Sequence, residues 1–212
     1  MRHIFPDLRQ TAMETRFGTL QTHAYVLNHD LGRDLIYVAE DPQNLQAITE
    51  TGGVDHIYLS HNHEISNGLF QARDVLSAKL VGHAQMQPRF PNGKSLDIAL
   101  DFETSVTLPN GLEAIYTPGH TDNNICYRYA SPHGKTYLFT GDTLYLDQAK
   151  WRTIVMQKDG GDPTVLRASL AAMRDLTVNV VITSVAVGEN RIVAVDRTEW
   201  TNTIDHLMAD LG

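Results

Sequence analysis

Three short segments of this 212-residue chain carry side chains suited to metal chemistry. The first is Ser60-His61-Asn62-His63, which follows the apolar run Val54 to Leu59. That run reads as a strand, and side chains two apart on a strand share a face. His61 and His63 can therefore converge on one ion, and imidazole nitrogen is a common zinc ligand at about 2.0–2.1 Å. The second is Thr117-Pro118-Gly119-His120-Thr121, where Pro and Gly shape a stiff corner that presents one histidine. The third is Thr140-Gly141-Asp142, which delivers one carboxylate in the same manner after the run Thr136 to Phe139. Taken singly, an HxH pair is also what two polar loop histidines look like, and the other two segments are common turns.

The surrounding pattern supplies elements to position them. Ala24 to Leu27 and Leu35 to Val38 read as a hairpin across the turn residues Asn28 to Asp34. Asp41-Pro42 starts a helix through Ile48 that Gly52-Gly53 ends, and a second helix is expected from Asn67 to Ala78, with Ser66 as its cap. Lys79 to Gly82 resumes as a strand, and Phe90 to Gly93 is loop. The middle is strand-rich, with Ser105 to Leu108, Leu112 to Tyr116, Ile125 to Tyr129 and Thr136 to Phe139 separated by turn residues. Asp162 and Pro163 sign a helix with Leu166, Leu170 and Met173 at helical spacing, and Val178 to Ile182 reads as a buried strand. The last helix follows Asp196 or Thr198 and carries the stripe Trp200, Ile204, Leu207 and Leu211. The class is α/β or α+β.

In this order, HxH, then TPGHT, then TGD resembles the metallo-β-lactamase superfamily, and the resemblance runs from the opening hairpin to the helix after Pro163. It implies a four-layer αββα sandwich over residues 1–212 as a single domain, with metal held at one edge of the two sheets. By position it makes His61, His63 and His120 the ligands of a first metal, and Asp142 the carboxylate that usually bridges two. The chain departs from the family at the second metal. The HxHxDH motif reads His61-Asn62-His63-Glu64-Ile65-Ser66 here, and Val187, before Gly188, is the best match to a missing late histidine. Glu64, expected to face away from the two histidines, and Glu189 are weak substitutes. One ion per chain follows as the expectation, zinc first, with iron or manganese as alternatives.

The activity implied is a metal-dependent hydrolase using a metal-activated water on a small ester, lactone, thioester, amide or phosphodiester, with Asp142 as a fourth ligand or the group that orients and deprotonates the water. The alternatives are a non-catalytic metal- or ligand-binding member and a mononuclear non-haem iron oxygenase using His61, His120 and Asp142. A net charge of −8 argues against a nucleic-acid or anionic-membrane surface, so a small-molecule substrate is the expected partner. A lone cysteine, Cys126, excludes an internal disulfide and reads as a small core residue. With no long apolar stretch, a soluble, cytoplasmic chain is expected. His23, His56 and His83 read as packing or hydrogen-bonding residues, His3, His29, His133 and His206 as surface ones, and Tyr145 as a structural tyrosine close to Asp142.

Overall fold

The computed structural model describes residues 1–14, 16–17, 20–188 and 191–212. Two sheets face one another. The first runs in the order Arg2–Phe5, Leu8–Gln10, Tyr25–His29, Gly32–Ile36, His56–Tyr58, Lys79–His83, Ile98–Leu100. Its last four strands are parallel, joined by helical crossovers, so their carboxyl ends share one edge. The second runs Ser105–Thr107, Leu112–Tyr116, Ile125–Ala130, Thr136–Phe139, Val180–Ile182, Ile192–Ala194. A third, smaller sheet joins Lys150–Arg152, Tyr145–Asp147, Val185–Val187, Leu20–Thr22 and Arg16–Phe17.

Strand alternation explains the layers. In the second sheet, Tyr127, Phe139 and Ile182 point into the space between the sheets, where Tyr127 meets Tyr58 at 5.4 Å and Phe139 meets Tyr25 at 6.1 Å between ring centres. Their neighbours Cys126, Leu138 and Val181 point the other way. They pack with Leu166, Leu170 and Met173 of one helix, Pro163–Met173 (α3), and Trp200, Ile204 and Leu207 of another, Arg197–Asp210 (α4). On the far side of the first sheet, the helices Pro42–Glu50 (α1) and Asn67–Leu76 (α2) add Leu45, Ile48, Leu69 and Ala72 to the main core. The result is the expected αββα arrangement.

The caps follow the side-chain chemistry. Asp41, Ser66, Asp162 and Asp196 each accept a backbone N–H at the start of a helix, and Asp196 completes a capping box with Glu199. Several boundaries differ from the sequence pattern. The hairpin turn is the two residues Asp30-Leu31, not the seven from Asn28 to Asp34. Its second strand stops at Ile36 because Tyr37 sits at φ 66°. Ser77, left-handed at φ 53°, ends α2 before Ala78. Val187, the position matched to the missing late histidine, lies in a strand paired with Asp147 and Leu20. Among the described residues no helix is long and apolar enough to cross a membrane.

Candidate metal centre

The strand His56–Tyr58 feeds directly into the first pair of histidines. His61 is extended, and Asn62–Glu64 then turns tightly in a 3-10 helix. The two imidazoles therefore meet through a turn, not through the two-residue period of a continuing strand, and their ring centres lie 4.8 Å apart. The turn is pinned to the second sheet: Ile125 N–H donates to Ser60 O at 2.8 Å and Asn62 N–H to Asn123 Oδ1 at 2.9 Å. The Ser60 hydroxyl donates to Glu64 Oε1 at 3.2 Å, which leaves it free to accept from His61 Nδ1 at 2.9 Å. That arrangement puts the lone pair of His61 on Nε2. His63 meets Asp159 Oδ2 through its Nε2 at 3.0 Å, which leaves Nδ1 as its ligating atom. Asp159 comes from the 3-10 turn Gln157–Asp159, a position with no signal in the sequence pattern.

His120 stands on the corner after Leu112–Tyr116. Gly119 has φ 129°, a backbone that L side chains rarely adopt, and a Cβ there would overlap the backbone of Leu166 at the start of α3. The His120 Nδ1–H donates to Ile154 O at 2.9 Å, which again turns a bare Nε2 inward. Asp142 follows Gly141, whose N–H donates to the buried Tyr37 hydroxyl at 2.8 Å; that hydroxyl donates in turn to Ile182 O at 3.0 Å. Tyr37 holds its left-handed backbone where it supports this turn, as strained residues at sites often do.

The four side chains converge. One candidate ligand atom from each of His61, His63, His120 and Asp142 lies within 4.8 Å of every other. Asp142 Oδ2 is 3.5 Å from His61 Nε2 and 3.8 Å from His120 Nε2. Both Nε2 atoms are buried and have no hydrogen-bond partner among the described residues. A buried polar atom without a partner is costly, so two of them aimed at one point fit an electron-pair acceptor at that point. Burial and the adjacent His61 push His120 down to about 4, so it is neutral at pH 7. Burial alone would raise Asp142, but His61, His120 and the Ser184 hydroxyl together hold it well below the usual carboxylate range. His61 moves up: burial opposes its charge, but Asp142 outweighs that.

The positions of the expected second metal are filled differently. Ile65 packs against the main core, and Ser66 caps α2 while donating its hydroxyl to Glu40. Glu64 does not face away: it borders the cleft beside the cluster, held by Ser60 N–H at 2.6 Å, and burial pushes its carboxyl up to about 7. Val187 is not the residue that faces this cleft. Ser184 and Val185 do, and the Ser184 hydroxyl bonds Asp142. Glu189 lies outside the described residues. The cleft, about 330 Å³, is also bordered by His23, whose Nδ1 meets Thr11 O at 2.9 Å as a hydrogen-bonding residue. Tyr145 lies on the strand paired with Lys150–Arg152 and does not border it.

Of the other histidines, His83 stacks on Tyr116 at 4.4 Å. His29 is not a surface residue: its side chain is 5% exposed and bonds the buried Asp34 at 2.7 Å. Cys126 is buried, and burial pushes its thiol up to about 11, which suits a core residue.

No family model matches the chain. Among solved structures it is similar to a metallo-β-lactamase from Pontibacter korlensis, at 18% identity and TM-score 0.73 over 99% of this chain and 96% of that one. It is similar to the metallo-β-lactamase FIM-1 from Pseudomonas aeruginosa in its mono-zinc form, at 17% identity and TM-score 0.73 over 99% and 94%. A metallo-β-lactamase from Hirschia baltica aligns at 13% identity and TM-score 0.71 over 97% and 95%. With the layers, the strand order and the convergent histidines already in place, the chain has the metallo-β-lactamase fold.

Proposed function

We propose that the chain is a hydrolase that works with one metal ion, zinc first, held by His61 Nε2, His63 Nδ1, His120 Nε2 and Asp142. The observation that carries this reading is the pair of buried, unpartnered Nε2 atoms beside an ionised carboxylate. The single-ion stoichiometry is supported by Ile65, Ser66 and Ser184, which offer no strong ligand, and by the mono-zinc form in which FIM-1 was solved. Such an ion supplies Lewis acidity and lowers the pKa of a coordinated water to about 7.

The chain's own groups do the rest. Asp142 is ionised, with Oδ1 taken by Ser184 and Oδ2 turned toward the two imidazoles. From there Oδ2 serves as the fourth ligand or takes a proton from the attacking water. Ser60, Asp159 and Ile154 O fix the three rings from behind, so the site is preorganised before substrate arrives. The cleft admits a small ester, lactone, thioester, amide or phosphodiester. A non-catalytic, ligand-binding role for the same ion is the second reading, favoured by the replaced second-site residues.

Elemental analysis of protein purified without added metal, followed by turnover assays on those five bond types, tests the proposal. One equivalent of metal and hydrolysis lost on His120→Ala are expected. Two equivalents would sink the single-ion reading; one equivalent without turnover on any bond type would favour the binding role.

A further inference from the structure

At the other end of the strands that deliver the metal ligands, the two main sheets part. A cavity of about 500 Å³ opens there, between the amino ends of His56–Tyr58 and Lys79–His83 and the turn at Leu108-Pro109-Asn110. That size falls within the roughly 300–1,000 Å³ of small-molecule sites. It shares no lining residue with the cleft beside the metal cluster. His56 and His61 are five residues apart, so at about 3.3 Å per residue roughly 16 Å separates the two places.

The cavity is apolar with a built polar end. Val54, Val81, Ile98, Leu100 and Leu108 supply the apolar walls. The polar end is organised by Asp34, which is fully buried and accepts from His29 Nε2 at 2.7 Å, His56 Nδ1 at 2.8 Å and Asn110 Nδ2 at 2.6 Å. Because His56 meets Asp34 through Nδ1, its Nε2 is left for the cavity. Asn110 also donates to the Tyr58 hydroxyl at 2.9 Å. That hydroxyl has its own proton left to give and no acceptor among the described residues, although Tyr58 is only 4% exposed. Lys79, at the rim, has no ion pair among the described residues. Asp55 also borders the cavity, but its carboxylate accepts Arg33 N–H at 3.1 Å. An Asp-centred network that merely tied the hairpin to its neighbouring strand would need neither the open volume nor a buried hydroxyl with an unspent proton.

We propose that this cavity is a second small-molecule site, one that takes an apolar monocarboxylate. The carboxylate accepts from Tyr58 Oη and from Lys79 Nζ, with the Nε2 edge of His56 beside it. The hydrocarbon lies along Val81, Leu100 and Leu108.

Decanoate is the probe, with decan-1-ol and decylamine as controls, titrated by calorimetry into protein as purified. One decanoate per chain is expected, with decan-1-ol weaker and decylamine silent. Tyr58→Phe keeps the ring against Tyr127 and removes one charge-assisted hydrogen bond, so decanoate should bind about tenfold more weakly. Leu100→Trp, which fills the cavity, should abolish binding, and His120→Ala should leave it unchanged. Circular dichroism checks each fold, and Tyr58→Phe carries the test if Leu100→Trp does not fold. No binding to the wild type, equal binding by Tyr58→Phe, or loss of binding in His120→Ala would each overturn the proposal; the last would place decanoate at the metal cluster.

Discussion

Each clustered imidazole is tied on one nitrogen and bare on the other. This asymmetry decides how the residues should respond to change. His120→Ala removes a neutral ligand whose partner, Ile154 O, cannot replace it. Asp142→Asn keeps a side-chain oxygen in place and loses only charge. Metal retention after dialysis, measured by elemental analysis, should therefore fall further in His120→Ala than in Asp142→Asn; equal retention by His120→Ala and wild type would remove His120 from the ligand set. The same reasoning applies to the missing second site. Ile65→Asp alone should give no second tight zinc in a calorimetric titration, because a zinc site normally needs about three protein ligands and an unpaired carboxylate in Ile65's packing place is costly. Ile65→Asp, Ser66→His and Ser184→His together should raise the stoichiometry toward two. Ser184, not Val187, is the position to change, because its hydroxyl already reaches Asp142. A second tight site in the single variant would contradict the ligand-loss argument.

At the scale of elements, the site depends on how corners meet helices. Gly119 lies against Leu166 and accepts Asp162 N–H at 3.0 Å, so the His120 corner and the start of α3 are one unit. Gly119→Ala must move one of them. It should cost roughly 1–3 kcal/mol in urea unfolding, and more if the backbone strain at φ 129° is not relieved, and it should weaken metal binding. Unchanged stability would show that the corner has room to shift. This coupling also marks what was legible beforehand. Leu112–Tyr116 and Thr136–Phe139 were readable to the residue because turn residues bracket each run. The caps Asp162 and Ser66 were readable from local side-chain chemistry. The convergence of His61, His63, His120 and Asp142 was readable because each follows a strand with its own turn signal. Asp159 and Ser184 were not, since their roles depend on contacts 96 and 42 residues away in the chain. The third sheet was missed for the same reason: its strands are two or three residues long and pair segments from both ends of the chain. Nor does periodicity foretell a left-handed Tyr37, because nothing in a strand pattern signals φ 66° at a tyrosine.

For the molecule as a whole, the cluster of His61, His63, His120 and Asp142 joins the two main sheets. His61 and His63 arrive from the first sheet, His120 and Asp142 from the second, and hydrogen bonds such as Tyr127 Oη to Leu59 O at 2.7 Å and Ile125 N–H to Ser60 O at 2.8 Å link the sheets at this edge. An ion shared by all four should therefore stabilise the native state as a unit. Binding to the folded state alone contributes about 2.7 kcal/mol when free metal is at 100 times Kd. For a chain of this length, each kcal/mol moves Tm by about 2–4 °C. Zinc at that excess should thus raise Tm by about 5–10 °C over chelator-treated protein. In His120→Ala the gap should close, whatever that substitution does to the baseline Tm. Calorimetric melts of wild type and variant, each with zinc and with chelator, measure both quantities in one experiment. Identical wild-type melting in the two conditions would mean that the histidines and Asp142 hold no ion tightly. A gap of the same size in His120→Ala would mean that the stabilising ion sits elsewhere.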